Sequence, residues 1–338
     1  MQEPITLGIE TSCDETAVAL VAGTHSVLCN MIHSQAELHA PYGGVVPEIA
    51  GRSHLDRLLP MYRRALECAG IDPGRLSAVA VTNRPGLIGC LLVGLAVAKT
   101  ISLTLGIPLV GVNHLEAHVH AAFMTRPGLP LPLVSLVASG GHSCLYLVEA
   151  PGQAACLGQT RDDAAGEALD KAAALLGLGY PGGPALEEAA GNGDRSAVAF
   201  PRSLLGKDSL DFSFSGQKTA LLYHLRGPGA SREMPELCDG ETRDLAASFQ
   251  EAVMETLVVK LERAVARTAA RSVSIGGGVA RNRRLRELIG ASPALSGLEL
   301  VFPAMDLCSD NAAMIAGLGA LLHGQGQSDD LLLEARAR

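Results

Sequence analysis

His114-Leu115-Glu116-Ala117-His118 sets two imidazoles four residues apart. On an α-helix, positions i and i+4 share a face, so both rings can reach a single ion. A zincin-type hydrolase needs its glutamate directly after the first histidine, as HExxH. Here Glu116 lies two residues past His114, about 200° around the helix, and points away from any ion the pair holds. A lone HxxxH also arises as a coincidence on a helix surface, so the pair needs a third ligand. Asp310, in Cys308-Ser309-Asp310-Asn311, is the candidate. Read locally, Asp310 or Ser309 is a simple N-cap for the helix expected next. Read together with the two histidines, it completes a set that suits iron(II) or zinc and leaves coordination positions open.

Two glycine turns could hold an anion. Ser139-Gly140-Gly141 lets backbone N–H groups approach an oxygen without side-chain obstruction, and Gly276-Gly277-Gly278 offers a second cradle. Either one alone is ordinary turn chemistry; their matching places in two halves of the chain make the pair informative. Carboxylates crowd the stretch from Asp162 and Asp163 through Glu167 to Asp170. Spacing puts Asp163, Glu167 and Asp170 on one helix face. They read either as a solvated helix start favoured by the dipole or as a source of one carboxylate that accepts from a ribose. Tyr180-Pro181-Gly182-Gly183-Pro184 follows as a rigid loop able to lie against a nucleoside. Arg281, Arg283, Arg284 and Arg286, with Arg263, Arg267 and Arg271 upstream, form the densest basic cluster. By default it is a solvated helix face; if RNA binds, it is a patch for phosphates.

These groups need elements to position them. Ile5 to Glu10 reads as a buried strand, and Ala17 to Ala22 as its hairpin partner across the hydroxyl- and carboxylate-rich tip Thr11-Ser12-Cys13-Asp14-Glu15-Thr16. Residues 48–70 read as a helix with Leu55, Leu58, Leu59, Tyr62 and Leu66 at helical spacing. Ala78–Thr82 is a strand, Pro85 to Gly89 opens a small-residue helix to about Leu105, and Leu109–Val112 leads into the helix of the two histidines. The proline-rich stretch 127–132 marks a boundary, with lobes expected at 1–125 and 126–338. Leu133–Ala138 and Cys144–Val148 then repeat the opening theme around the first glycine turn. Ser272–Ile275 runs into the second turn, and 311–322 forms a last apolar helix close to the ion. Two halves, each opening on a hairpin with a polar tip, resemble the actin-like ATPase superfamily of actin, Hsp70 and sugar kinases. The expected fold class is therefore α/β, two-lobed, with duplicated β-sheet-and-helix domains.

The 338 residues can bury a large core, but aromatics are only 3% and Trp is absent, so that core must be aliphatic. Net charge is −8, the opposite of a protein that grips nucleic acid unaided. The eight cysteines include no CxxC pair, which argues against a zinc ribbon and fits a reducing cytosol. No signal-like region opens the chain, and no apolar stretch reads as long and uninterrupted enough for a bilayer. The expectation is a cytoplasmic enzyme with no membrane partner.

Nine segments, in order along the whole chain, carry a sharper resemblance: GIETSCDET (8–16), YGGVVPEIA (42–50), NHLEAH (113–118), SGGH (139–142), DDAAGEALDK (162–171), YPGGP (180–184), DFSFSGQKT (211–219), GGGVARN (276–282) and CSDNAAMIA (308–316). Together they are similar to the tRNA threonylcarbamoyladenosine transferase family, once described as O-sialoglycoprotein endopeptidases. The resemblance implies one divalent ion, iron(II) ahead of zinc, on His114, His118 and Asp310. It implies threonylcarbamoyl-AMP held between the lobes by Val137, Ala138, Ser139, Gly140, Gly141, Asp170, Gly183 and Asn282, with Asp14 and Glu15 at the reacting end. The reaction implied is transfer of the threonylcarbamoyl group to N6 of adenosine 37 of tRNA. The partners implied are tRNA, a degenerate actin-like paralogue as heterodimer partner, a small P-loop ATPase and an upstream adenylate synthase. The chain departs from the family pattern at Gln217, where leucine is usual, and at Asn83-Arg84, which puts a cation near the expected cleft.

Three other readings meet objections in the sequence. A metallopeptidase lacks a glutamate placed to activate water. A sugar or acetate kinase has no use for a two-histidine helix, because magnesium prefers oxygen ligands. A non-catalytic scaffold would not need both histidines, Asp310 and every glycine turn.

Overall fold

The computed structural model describes residues 3–206 and 208–338. The chain forms two compact units. Unit 1 takes the chain up to Leu129, Ala150–Ala154 and Pro303–Arg338, and unit 2 takes Pro130–Glu149 and Ala155–Phe302. Sequence reasoning drew one boundary, at 125/126. The first crossing falls instead within the proline-rich stretch, between Leu129 and Pro130, and the C-terminal segment groups with unit 1.

In unit 1, β1 (Ile5–Glu10), β2 (Glu15–Ala22) and β3 (Ser26–Ser34) form an antiparallel meander. The short α1 (Ala36–His39) and the long α2 (Pro47–Ala69) follow, then β4 (Leu76–Arg84), α3 (Ile88–Leu105), β5 (Leu109–Asn113) and α4 (His114–Thr125). The sheet order is β3-β2-β1-β4-β5, with β4 parallel to both β1 and β5. Strands are covered on both faces: Ile5, Leu7, Ile9, Val18 and Leu20 join one core cluster, while Ala17, Ala19, Val21, Ala80 and Val112 join another. That double burial is why β2 reads as a continuous apolar run from Ala17 to Ala22, whereas β1 alternates and puts the small Gly8 under the last helix of the chain.

Unit 2 repeats the plan. β6 (Leu133–Ala138), β7 (Ser143–Ala150) and β8 (Gln153–Gln159) form its meander; α5 (Ala165–Leu175), α6 (Gly182–Ala190), α7 (Ser215–Arg226) and α8 (Asp239–Ala266) follow. Then come β9 (Ser272–Gly276), α9 (Arg283–Ala291) and β10 (Glu299–Val301). Sheet order is β10-β9-β6-β7-β8, the same arrangement of one central strand, an antiparallel meander on one side and parallel strands on the other. The chain closes with α10 (Met305–Cys308) and α11 (Ala312–Gly324) in unit 1.

α11 explains the aliphatic, small-residue core. It lies so close to the sheet that a Cβ on Gly8 would stand 2.2 Å from the Ala312 carbonyl oxygen, and one on Gly319 would stand 2.3 Å from the Ala80 Cβ. Large side chains have no room there, and alanines and glycines carry the packing.

Several sequence readings are corrected. α3 is 18 residues long with mean hydropathy 2.0, so by length and composition it could cross a membrane. Eight of its residues, including Cys90, Leu91, Leu95 and Ala98, are instead buried within unit 1. In α2 the buried face runs through Ala50, Ser53, His54, Leu58 and Ala65, whereas Leu55 and Leu59 are exposed. α5 starts at Ala165, so Asp163 precedes the helix and shares no helix face with Glu167. Gly182, Gly183 and Pro184 are the first turn of α6, not a loop; only Tyr180 and Pro181 precede it.

Candidate functional site

The chain turns directly from β5 into α4, where Asn113 caps the helix by accepting from the Leu115 and Glu116 amides at 2.9 and 3.4 Å. His114 is thereby the first helical residue and His118 lies one turn on. Both rings are buried, 4.7 Å apart and edge to face. Asp310 sits just before α11, and it is Asn311 that caps this helix, accepting from the Met314 amide at 3.0 Å. The local N-cap reading of Asp310 and Ser309 therefore gives way, and the Asp310 carboxylate faces the histidines. Its Oδ1 lies 3.1 Å from His118 Nε2 and 3.4 Å from His114 Nε2. The candidate ligand atoms of the three residues all lie within 4.8 Å of one another.

Two imidazole nitrogens and one carboxylate oxygen suit a borderline ion such as iron(II) or zinc, and do not suit magnesium. The donor set fits the implied ion, since each residue can turn a lone pair toward one centre. Glu116 is not among the converging residues; burial pushes its carboxyl up, and Arg84 and Asn113 offset that only in part.

Sequence reasoning missed one member of this site. Glu10, at the end of β1, is fully buried, and its Oε2 lies 2.9 Å from His114 Nδ1. Burial opposes ionisation of Glu10 and of Asp310. The charge of His114 and the hydrogen bonds to each carboxylate together outweigh it, and both carboxyls are held below their ordinary values. Burial likewise works against a charged His114, but Asp310 and Glu10 together raise it well above the usual imidazole value. His118, also buried and with His114 beside it, is lowered.

Asp14 and Glu15 stand at the tip of the first hairpin, where the sequence placed them. The tip is held from α2 and from the start of α1: His54 Nε2 donates to the Cys13 carbonyl at 2.9 Å, and the Gln35 amide donates to the Asp14 carbonyl at 3.0 Å. Thr16 Oγ1 donates to His54 Nδ1 at 2.8 Å and fixes that ring. Burial raises Glu15 well above the ordinary carboxylate value, and the charges of Asp310 and Asp14 raise it further.

In unit 2 the two glycine turns come together. The turn after β6 is closed by the Ser139 amide donating to the His142 carbonyl at 2.8 Å, and the Gly166 amide of α5 donates to the Ser139 carbonyl at 3.1 Å. Val137 and Ala138 end β6, and Gly277 leaves β9 at φ +84, where a Cβ would stand 2.3 Å from the Ala138 carbonyl oxygen. Gly140 and Gly141 have open space where a side chain would be. Asp170 Oδ1 accepts from the Gly183 amide at 3.0 Å, which joins α5 to the start of α6. Asn282 caps α9 through Oδ1 and gives Nδ2 to Gln250 at 2.8 Å, so most of its side chain already serves the fold.

The carboxylates of 162–170 have separate tasks. Asp163 and Glu167 share Lys171 at 2.9 and 2.8 Å, and Lys218 also approaches Asp163 at 3.3 Å. Asp162 accepts from the Phe214 and Ser215 amides at 2.8 and 3.2 Å and from the hydroxyls of Ser213 and Ser215, capping α7 from outside the helix. Partial burial opposes its ionisation, but these bonds outweigh it and lower its pKa. A depressed folded-state pKa means that this stabilisation is complete above the unfolded value near 3.8 and is lost as pH falls through the folded value. Asp162→Ala should cost roughly 1–2 kcal/mol in urea unfolding at pH 7. The difference from the parent should shrink in titrations below pH 4.

The basic cluster is largely engaged. Arg283 pairs with Glu187, Arg284 with Glu251 and Glu287, and Arg286 lies over Phe302 at 4.7 Å. Arg263 and Arg267 bind carbonyls of the 204–208 segment. Asn83 and Arg84 are tied to each other, and Asn83 also binds the Glu334 carbonyl of the C-terminal segment at 3.2 Å. Gln217 is buried in unit 2, giving Nε2 to Pro201, Ala252 and Thr256.

A duplicated five-stranded plan of this topology, with helices on both faces, is the actin-like ATPase fold, here carrying a two-histidine–carboxylate set in unit 1. Proteins named HypF share the fold: one solved with phosphate and nucleotide has a TM-score of 0.61 at 15% identity over 97% of this chain and 57% of its own. The HypF of T. kodakarensis gives 0.60 at 14% identity, over 98% and 49%. Residues 26–317 match the family described as tRNA N6-adenosine threonylcarbamoyltransferase (TsaD), and the chain belongs to it. Proteins of that name from Symbiobacterium thermophilum and Syntrophobacter fumaroxidans are each 49% identical, the first over 99% of this chain and 96% of its own length, the second over 92% of each. By that membership the chain is a transferase.

Proposed function

We propose that the chain transfers the threonylcarbamoyl group of threonylcarbamoyl-AMP to N6 of adenosine 37 in tRNAs that read codons beginning with A, releasing AMP. The observation that carries the reading is the convergence of His114, His118 and Asp310 in a chain of this family. The N6 lone pair attacks the carbamoyl carbon, the bond from that carbon to the phosphate oxygen breaks, AMP leaves with the electron pair, and N6 gives up a proton. Asp14 and Glu15, at the tip of the first hairpin, are the carboxylates that face the reacting end, where that proton is released.

In unit 2 the amides of Gly140 and Gly141 and the N-terminus of α5 suit the phosphate of the adenylate. Asp170 and Gly183 suit its nucleoside, and Asn282 contributes by holding the start of α9 in place. The ion, iron(II) by preference, would be held by His114, His118 and Asp310 and would supply Lewis-acid stabilisation of developing negative charge. With a net charge of −8 and only five Tyr and six Phe, the chain has little with which to stack bases. Reliance on a paralogous heterodimer partner, a small P-loop ATPase and an upstream adenylate synthase, all in the cytoplasm, fits that composition.

The reading is tested by supplying purified threonylcarbamoyl-AMP and tRNA to the chain with its partner proteins. One AMP should appear for each group found on tRNA, with no ATP needed for the transfer itself. AMP release without tRNA product would contradict the assignment.

A further inference from the structure

We infer that Glu10 is a positioning residue for the ion: its carboxylate holds His114 with Nδ1 protonated and Nε2 turned toward Asp310. The inference rests on the metal reading of His114, His118 and Asp310.

Glu10 is wholly inside unit 1, at the end of the central strand. Its two oxygens are anchored separately. Oε1 accepts from the Ser12 amide at 2.5 Å; Oε2 accepts from Thr82 Oγ1 at 2.5 Å and faces His114 Nδ1 at 2.9 Å. A buried carboxylate is costly unless it is paired and hydrogen-bonded, and here the pairing is spent on one nitrogen of one ring. An imidazole that donates Nδ1–H to a fixed carboxylate has a fixed tautomer, a fixed ring plane and a more basic Nε2. That Nε2 is the atom 3.4 Å from Asp310.

His118 supplies the contrast. Its Nδ1 is buried and has no hydrogen-bond partner among the described residues. The two histidines are therefore unequal ligands: Nδ1 of His114 is held by a carboxylate anchored at β1 and β4, whereas Nδ1 of His118 has no such anchor among the described residues.

The test titrates the full chain with zinc(II) against a chromophoric chelator. It compares the parent, Glu10→Gln, His114→Ala and the two changes combined, with circular dichroism to check folding. Glu10→Gln should bind about 10- to 100-fold more weakly than the parent. Added to His114→Ala it should cost nothing further, because Glu10 acts through that ring. Spectra of 15N-histidine should show His114 as the Nδ1–H tautomer in the parent and lose that state in Glu10→Gln. Unchanged affinity in Glu10→Gln would overturn the inference. So would equal losses with and without His114, the pattern of a general packing role. If Glu10→Gln does not fold, Thr82→Val removes one anchor of the carboxylate. It should then weaken binding about fivefold, as for one lost hydrogen bond, and unchanged affinity would overturn the inference. A parent that binds no zinc would instead remove the metal reading itself, and this inference with it.

Discussion

Changing His114 and His118 together to alanine should strip the chain of its divalent ion and lower threonylcarbamoyl transfer on the order of 10³-fold or more. Both rings are buried and converge on one carboxylate oxygen, at 3.1 and 3.4 Å. With both gone, Asp310 is the sole ligand left of the set, and one carboxylate does not hold iron(II) or zinc against water. The change also removes the rings that hydrogen-bond the Glu10 and Asp310 carboxylates. The variant should therefore lose stability as well as its ion, and metal content by mass spectrometry has to be read beside circular dichroism. A folded variant that retains stoichiometric metal would show that the ligands lie elsewhere.

Gly277→Ala should be nearly as damaging, by a different route. Gly277 leaves β9 at φ +84, and a Cβ there would stand 2.3 Å from the Ala138 carbonyl oxygen. That backbone, with ψ 164, is essentially reserved for glycine and alone costs an L-residue about 1–3 kcal/mol. The collision cannot be relieved by a side-chain rotation, because the obstructing atom is backbone at the end of β6. The two glycine turns would be forced apart, and Ser139, Gly140 and Gly141 displaced with them. Urea unfolding should show a loss of more than about 2 kcal/mol, and isothermal titration should show at least tenfold weaker binding of threonylcarbamoyl-AMP. Parent-like values for both would mean that this approach is not needed.

Much of this architecture is written in local pattern. The two hairpins were legible because β1, β2, β6 and β7 are largely buried and predominantly apolar on either side of polar tips. The histidine pair was legible because helical spacing alone brings the rings together. Edge strands β3 and β8 were not, since both are largely exposed and mix polar with apolar residues. Glu10 was hidden for another reason: nothing near it in sequence marks it as more than a strand end, and its partner lies 104 residues on. α2 misled through Leu55 and Leu59, which face outward. The inward positions nearby are Ser53 and His54, and a polar residue turned inward to hold a hairpin tip breaks the apolar period that sequence reading follows. Asp310 looked like a helix cap until Asn311 was seen to take that task.

The most direct test of the central claim is to locate the product on tRNA. The chain, its partner proteins and threonylcarbamoyl-AMP carrying a labelled threonine would be incubated with a tRNA that reads codons beginning with A, and with the same tRNA in which adenosine 37 is replaced by guanosine. Nuclease digestion and mass spectrometry should find the label on the adenosine beside the anticodon in the first tRNA and none in the second. Equal labelling of both, or no labelling while an established family member succeeds in the same mixture, would contradict it.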